Sequence, residues 1–281
     1  MTPAALALAF LGCVPAPLGF WMAWVEPYDL RVEQATLTLP AERAGRTPIR
    51  VGVLADLQCE GVGEHERNAV ATLLAQEPDL ILVPGDLFQG TPEEFAEHRR
   101  SLMELLATLH APGGVYFVPG DVDTDATIAA LRESTDWTIL INAVVDVQIR
   151  DRQIRIAGMA NRASFDVARD LEHMPGDADV RIVMSHAPDT VLRMTGQPRA
   201  DLFVAGHTHG GQIVVPGFGP PITLSHVPRA IAAGGLHRYE GRAIYVSRGV
   251  GLERRQAPRV RLFCPPEVSV VTLTSSASGT P

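Results

Sequence analysis

From residue 49 onward the chain alternates short apolar runs with amphipathic stretches. Residues 49–54 form a β-rich run that ends in a polar turn, and residues 64–76 place Val70, Leu73 and Leu74 at helical spacing. The same unit returns at 80–83 followed by 92–109, a helix that Thr91 would cap and Pro92 would open. It returns again at 115–118 followed by 126–133. Runs this uniformly apolar are expected of strands covered on both faces, so the rhythm predicts an α/β fold with parallel strands. From Thr138 the pattern changes to hairpins, with strand-like runs at 138–141, 144–149 and 154–157 parted by Asn142 and by the turn Arg150-Asp151-Arg152. Later strands are expected at 180–184, 202–205, 243–246 and 268–273. No repeat of fixed period is visible, and one catalytic domain over 49–274 with a small polar, frayed tail at 275–281 accounts for the pattern.

The N-terminus follows a different rule. Residues 3–25 carry no charged side chain, and a bilayer span needs about 20 apolar residues. Pro15, Pro17 and the lack of any basic residue ahead of the run set it apart from a cleaved signal peptide. The expectation is an uncleaved membrane anchor at 1–25 and a linker at 26–48, with an apolar helix packed on the domain as the alternative. Trp21, Trp24 and Tyr28 suit an interfacial belt. Arg31, Arg43 and Arg46 follow the span, which leans towards a catalytic domain on the cytoplasmic side of the inner membrane.

Composition then removes several chemistries. All 24 basic residues of the 281 are arginine, which excludes Schiff-base, pyridoxal-phosphate and Walker-lysine mechanisms. A formal charge of -8 argues against a nucleic-acid partner. Cys13, Cys59 and Cys264 are too scattered for a disulfide framework or a thiolate metal site.

The chemistry lies where the apolar runs end. Asp56 follows the first run, Asp86 the second and Asp121 the third; His186 follows the run at 180–184, and His207 and His209 follow that at 202–205. Strand carboxyl ends share one edge in an α/β sheet, so these residues are expected in one crevice. Three aspartates there would titrate upward without compensating positive charge. A mixed oxygen and nitrogen set without thiolate suits manganese, iron or zinc.

These strings resemble the calcineurin-like metallophosphoesterases, and in particular a small membrane-tethered bacterial branch. The resemblance rests on Asp56-Leu57-Gln58, Gly85-Asp86-Leu87-Phe88, Gly120-Asp121-Val122-Asp123, Ser185-His186 and the segment Gly206-His207-Thr208-His209-Gly210-Gly211-Gln212-Ile213. The late strings Tyr245-Val246-Ser247-Arg248-Gly249 and Cys264-Pro265-Pro266-Glu267 belong to it as well. It implies a four-layer α/β/β/α sandwich and two divalent metal ions. It also implies hydrolysis of a phosphoester or phosphoanhydride by a metal-bridging hydroxide. One ion would take Asp56, Gln58, Asp86 and His209, and the other Asp86 as bridge with Asp121, His186 and His207. Catalytic roles fall to Asp86, Asp121 and His186. Similarity to UDP-diacylglucosamine pyrophosphatase-type enzymes implies a lipid-linked or nucleotide-sugar substrate. The alternative is a degenerate homologue that binds metal or phosphate as a scaffold or sensor.

Three positions depart from the family pattern. Gln58 stands where histidine is usual and is a weaker ligand for a transition metal; direct ligation and a hydrogen-bonding role both fit it. Asp121 replaces asparagine and adds one negative charge, its other reading being a turn carboxylate. Val122 replaces a histidine credited with help to the leaving group, help that is worth about 10²–10⁴-fold. The set therefore shifts the expected substrate towards phosphoanhydrides, whose leaving groups need no proton. His65 could substitute as a ligand or serve as a surface histidine, and His226 could wall the cleft. His98, His110, His173 and His237 have no partner spacing. Arg254, Arg255, Arg259 and Arg261 read as a solvated basic face, or as one that meets anionic head groups.

Overall fold

The computed structural model describes residues 15–160, 177–194, 200–254 and 257–275. Two six-stranded sheets make up its centre. The first runs in the order β1 (Arg31–Leu39), β12 (Glu267–Ser275), β2 (Ile49–Val53), β3 (Leu80–Val83), β4 (Val115–Phe117) and β5 (Thr138–Ile139). The second runs β10 (Gly235–Tyr239), β11 (Arg242–Val246), β9 (Leu202–Ala205), β8 (Val180–Ser185), β7 (Arg152–Met159) and β6 (Ala143–Ile149). Strands β2 to β5 are mutually parallel, as are β7, β8, β9 and β11. Both sheets are mixed: β12 joins β2 antiparallel, β6 joins β7 antiparallel and β10 joins β11 antiparallel.

Side-chain alternation sorts the apolar runs into layers. Val51, Val53, Leu80 and Leu82 point inward and meet Ile154, Ile156, Ile182, Met184 and Val204 from the second sheet, all buried. The intervening residues Ile81 and Val83 face outward onto α1 (Glu64–Leu74), α2 (Pro92–Leu106) and α3 (Asp125–Ser134), through Leu73, Leu102, Leu106 and Leu131. On the far face Val183, Phe203, Ala205 and Ile244 pack under Val191, Met194, Ile231 and Ala232. The result is the expected α/β/β/α order, with strands buried on both sides because helices or turns cover each sheet. Thr91 caps α2 as expected, its hydroxyl accepting from Glu94 N at 3.2 Å while Glu94 reaches back to Thr91 N at 2.7 Å.

Several elements differ from the expectation. The stretch expected as linker contributes β1, whose Leu37 and Leu39 are buried while Thr36 and Thr38 stay exposed. An edge strand with one polar face lacks the continuous apolar run by which the other strands announce themselves. Strand β10 was likewise not expected. Helix α1 stops short at Leu74, where Gln76 and Glu77 turn back onto Leu73 and Leu74 and Glu77 takes a φ of 50°. Residues 1–14 of the expected anchor, Cys13 and residues 276–281 of the tail lie outside the described residues. Its remainder forms a short helix, Pro15–Phe20, continued by a π-turn at Trp21–Val25. Among the described residues no helix is long and apolar enough to cross a membrane. The end of this segment, from Trp21 to Glu26, is tied to the domain. Arg261 N donates to Met22 O at 3.0 Å, and the buried Glu26 carboxylate accepts from Cys264 N at 2.6 Å and Trp21 Nε1 at 2.9 Å.

Cys59 and Cys264 are buried and unpaired. Burial pushes the Cys59 thiol up to about 12, and the Cys264 thiol upward as well. The reactive thiolate is therefore scarce at ordinary pH. In peptide mapping after iodoacetamide at pH 8, both residues should stay unlabelled in the folded protein and label in urea.

Candidate metal centre

The loops that leave β2, β3, β4, β8 and β9 meet at one edge of the sandwich. Their main chains are strained and cross-tied. Asp56, Gln58, Asp86, His207 and His209 have φ values of 47°, 37°, 57°, 73° and 47°, a region that costs a non-glycine residue about 1–3 kcal/mol. Bonds between loops hold it: Asp56 N to Gly85 O at 3.1 Å, Gln58 N to Asp86 O at 2.8 Å and Gly206 N to His186 O at 2.9 Å. Gly120 packs so closely that a Cβ there would overlap the Asp86 carboxylate. Asp123 ties the β3 and β4 loops together, accepting from Asp86 N at 2.7 Å, Gly120 N at 2.8 Å and Leu87 N at 3.0 Å.

The side chains converge on this frame. Both oxygens of the buried Asp56 accept from His207 N at 3.0 Å. Burial pushes the Asp56 carboxyl up to about 7 despite the opposing pull of His186. Asp86 Oδ1 accepts from Val122 N at 3.0 Å, and its Oδ2 lies 3.3 Å from His186 Nε2. Burial opposes ionisation of Asp86, but His186 beside it holds its pKa well below the usual range. For His186 itself burial disfavours charge, and Asp86 and Asp56 outweigh it, raising the imidazole to about 10. The ring sits with Nδ1 2.7 Å from Pro84 O, which leaves Nε2 facing the cluster. His207 Nδ1 lies 3.2 Å from both His186 Nε2 and Asp121 Oδ2. That bond to His207 holds the half-exposed Asp121 below the ordinary carboxylate range.

His209 is the exception in the set. Both ring nitrogens are buried and have no hydrogen-bond partner among the described residues, and the Gln58 Oε1 atom shares that condition. Burial and then Arg261 push His209 down to about 3, so its imidazole is neutral. A neutral imidazole with an uncommitted buried lone pair is a ligand in waiting; unpaired buried polar atoms otherwise cost about 1–3 kcal/mol each. Ligand atoms of Asp56, Asp86 and His186 lie within 4.8 Å of one another, and so do those of Asp121, His186 and His207. The donor set fits borderline divalent cations.

The seven residues expected at the site are thus in one place, although His186, not Asp86, is the residue common to the two close groups. His65 is committed elsewhere, with Nε2 3.1 Å from Val250 O and its ring edge-on to Tyr28. His226 is exposed and pairs with Asp189 at 2.7 Å. His173 and Arg255 lie outside the described residues. Of the expected basic face, Arg259 is solvated and pairs with Glu60 at 2.9 Å, but Arg261 is fully buried, donating to the carbonyls of Arg248, Gly249, Gly251 and Cys264. Arg254 donates to Gln58 O. Two residues near the centre were not anticipated as parts of it, Asp123 and Glu253. An aspartate three residues after a strand-end glycine signals a turn that caps backbone donors, which could have found the first. Nothing local marks the second.

Fold and site together define a metallophosphoesterase. The chain belongs to the calcineurin-like phosphoesterase family, whose model matches residues 49–211. It is 30% identical over 220 residues to the uncharacterized metallophosphoesterase YkuE of Bacillus subtilis, covering 76% of this chain and 74% of that one. It is 32% identical over 214 residues to the phosphodiesterase YaeI of Escherichia coli, covering 73% and 74%. The NAD nucleotidase NadN of Haemophilus influenzae shares the fold at a TM-score of 0.52 and 13% identity, over 73% of this chain and 45% of that structure.

The Asp123 clamp generates a prediction. Asp123→Ala would strip three backbone donors of their acceptor, and an unsatisfied buried donor costs about 1–3 kcal/mol. Urea unfolding should show a loss of at least about 2 kcal/mol, and Asp123→Asn, which keeps one oxygen acceptor, a smaller one.

Proposed function

We propose that the chain hydrolyses a phosphoanhydride or an activated phosphodiester of a lipid-linked or nucleotide-sugar substrate, using two divalent cations of the manganese, iron or zinc type. The observation that carries this reading is the abutment of the donor cluster on an apolar cavity. A space of about 140 Å³ is lined by His207, His209 and Glu253 together with Ile213, Pro221, Ile222, Leu224 and Pro258. A phosphoryl group at the cluster would have its apolar substituent against this wall.

Asp56, Gln58, Asp86 and His209 would hold one cation, and Asp86, Asp121, His186 and His207 the other. Bound there, the cations supply Lewis-acid polarisation of the phosphoryl group and activation of water at neutral pH. The chain's own part is orientation. Pro84 O fixes the His186 ring so that Nε2 faces inward, and Val122 N and Asp123 fix the carboxylate and the main chain of Asp86. Position 122 contributes only its backbone N–H to this network, and a valine side chain cannot protonate a leaving group. A phosphate leaving group needs no such help, whereas an alkoxide does. The N-terminal segment, with Phe20 62% and Trp24 67% exposed, would bring the domain to a membrane surface, on the cytoplasmic side by the arginine distribution.

Assays on bis(p-nitrophenyl) phosphate and on UDP-diacylglucosamine test the reading. His207→Ala and Asp86→Ala should each lower turnover more than about 100-fold, beyond what changes around a ligand usually cost. Turnover untouched by both would overturn the assignment. Val122→His should raise the rate on alkyl monoesters by about 10²–10⁴-fold relative to anhydrides; no gain in protein that still takes up metal would refute the leaving-group argument.

A further inference from the structure

The surroundings of Gln58 are unlike those of the other six residues. Its side chain is fully buried, and its Nε2 has two carboxylate acceptors, Asp86 Oδ2 at 3.1 Å and Glu253 Oε2 at 3.4 Å. Its Oε1 has no partner among the described residues, and neither does either ring nitrogen of His209. A carboxamide is ambidextrous: its oxygen can face a cation, whereas its NH₂ end would be repelled by one. Something must choose the end.

Residues 249–254 are built against Gln58. Val250 N donates to Ala55 O at 3.1 Å and Gly251 N to Asp56 O at 2.7 Å, which lays this stretch along the loop after β2. A Cβ on Gly251 would overlap the Leu57 carbonyl and come within 3.0 Å of Gln58 Cβ. Two residues on, Glu253 N donates to Gln212 Oε1 at 2.7 Å, and Gln212 Nε2 donates to Pro258 O at 2.7 Å. Arg254 then donates to Gln58 O. The backbone of Glu253 is thereby fixed beside the amide.

We propose that Glu253 is the positioning residue for Gln58. Its carboxylate competes with the nearer Asp86 Oδ2 for the amide hydrogens. Once a cation takes that oxygen, Glu253 would keep the NH₂ end and turn Oε1 towards the cation held with Asp56, Asp86 and His209. This is the carboxamide counterpart of the carboxylate that backs a metal-bound histidine. The inference rests on the two-cation reading above and concerns a residue outside the ligand set.

Manganese titration of the metal-stripped protein, with free Mn²⁺ counted by its electron paramagnetic resonance signal, tests it without recourse to activity. The wild type should show two binding events. Glu253→Ala should weaken one by about 10–100-fold and spare the other. Glu253→Gln, which still offers an oxygen acceptor, should cost less, and it carries the test if the alanine variant fails to fold. In a Gln58→His background the effect of Glu253→Ala should largely vanish, because the two positions act as a unit. Two events of unchanged affinity in the Glu253 variants would overturn the proposal and leave the two-cation reading intact. So would an equal loss with and without Gln58→His, since Glu253 would then act elsewhere. A wild-type protein that binds no more than one ion would instead defeat the two-cation reading, and the proposal with it.

Discussion

Carboxylates can be crowded at a buried edge only if positive charge is crowded there too. Asp56 and Asp86 are almost wholly withdrawn from water and Asp121 stands beside them. In the chain by itself that charge comes from His186, whose imidazole is raised to about 10 by the two aspartates against the cost of its own burial. On the two-cation reading, cations would take over the charge that this proton supplies. Binding of divalent ions would release that proton, since a ligating imidazole must be neutral. His209 marks the other half of the balance, because Arg261 helps keep it uncharged. Neutral imidazole and ionised carboxylate in one pocket is the protonation pattern that a cation site requires.

Holding such a pattern takes a stiff frame. The functional residues come from chain positions as far apart as Asp56 and His209, yet each stands one to five residues beyond a strand of a parallel set. Because β2, β3 and β4 in one sheet and β8 and β9 in the other end at the same edge, their loops face each other across the inter-sheet core. The left-handed residues in those loops are tolerated because bonds between loops over-determine them. Behind them, the loop after β11 is gathered by Arg261, and Arg248 reaches Glu267 at the start of β12. The start of β12 thus serves the centre without lining it, while the loop after β11 also carries Glu253 to it.

The legible part of this molecule is the part where burial and chemistry change at the same residue. An apolar run that ends in Asp86, or in His207 and His209, shows a strand and its functional tip together, and the two-sided burial of β2, β3, β8 and β9 made those runs continuous. Strand β1 was hidden because half of its side chains face water, and β10 because it is an edge strand with only partly buried residues. Arg261 looked like surface because charge is usually solvated; its guanidinium is spent on four backbone carbonyls, which no neighbouring residue reveals. Glu253 sits next to Arg254 in a charged stretch, and only the fold places it 3.4 Å from a residue 195 positions earlier. Spatial pairing of that kind leaves no periodic trace in a single chain.

The departures at the centre are best understood as one electrostatic adjustment. On the proposed reading, exchanging imidazole for carboxamide at Gln58 lowers donor strength at one cation, while Asp121 adds charge at the other. The added charge reduces the positive field that a phosphoryl group and an attacking water would feel, while the weaker donor loosens the hold on one cation. A centre so tempered is poorly matched to a reaction in which an alkoxide must depart, the more so with Val122 unable to donate a proton. It is well matched to one in which the departing group is itself a phosphate, because there the barrier depends less on acid help and more on alignment. On the proposed reading the apolar wall of Ile222 and Leu224 would supply alignment of that kind, by seating a substituent far from the phosphorus and converting its burial into orientation. On that reading, a weaker field at the cations and an apolar seat for the rest of the substrate would be complementary features of one specificity.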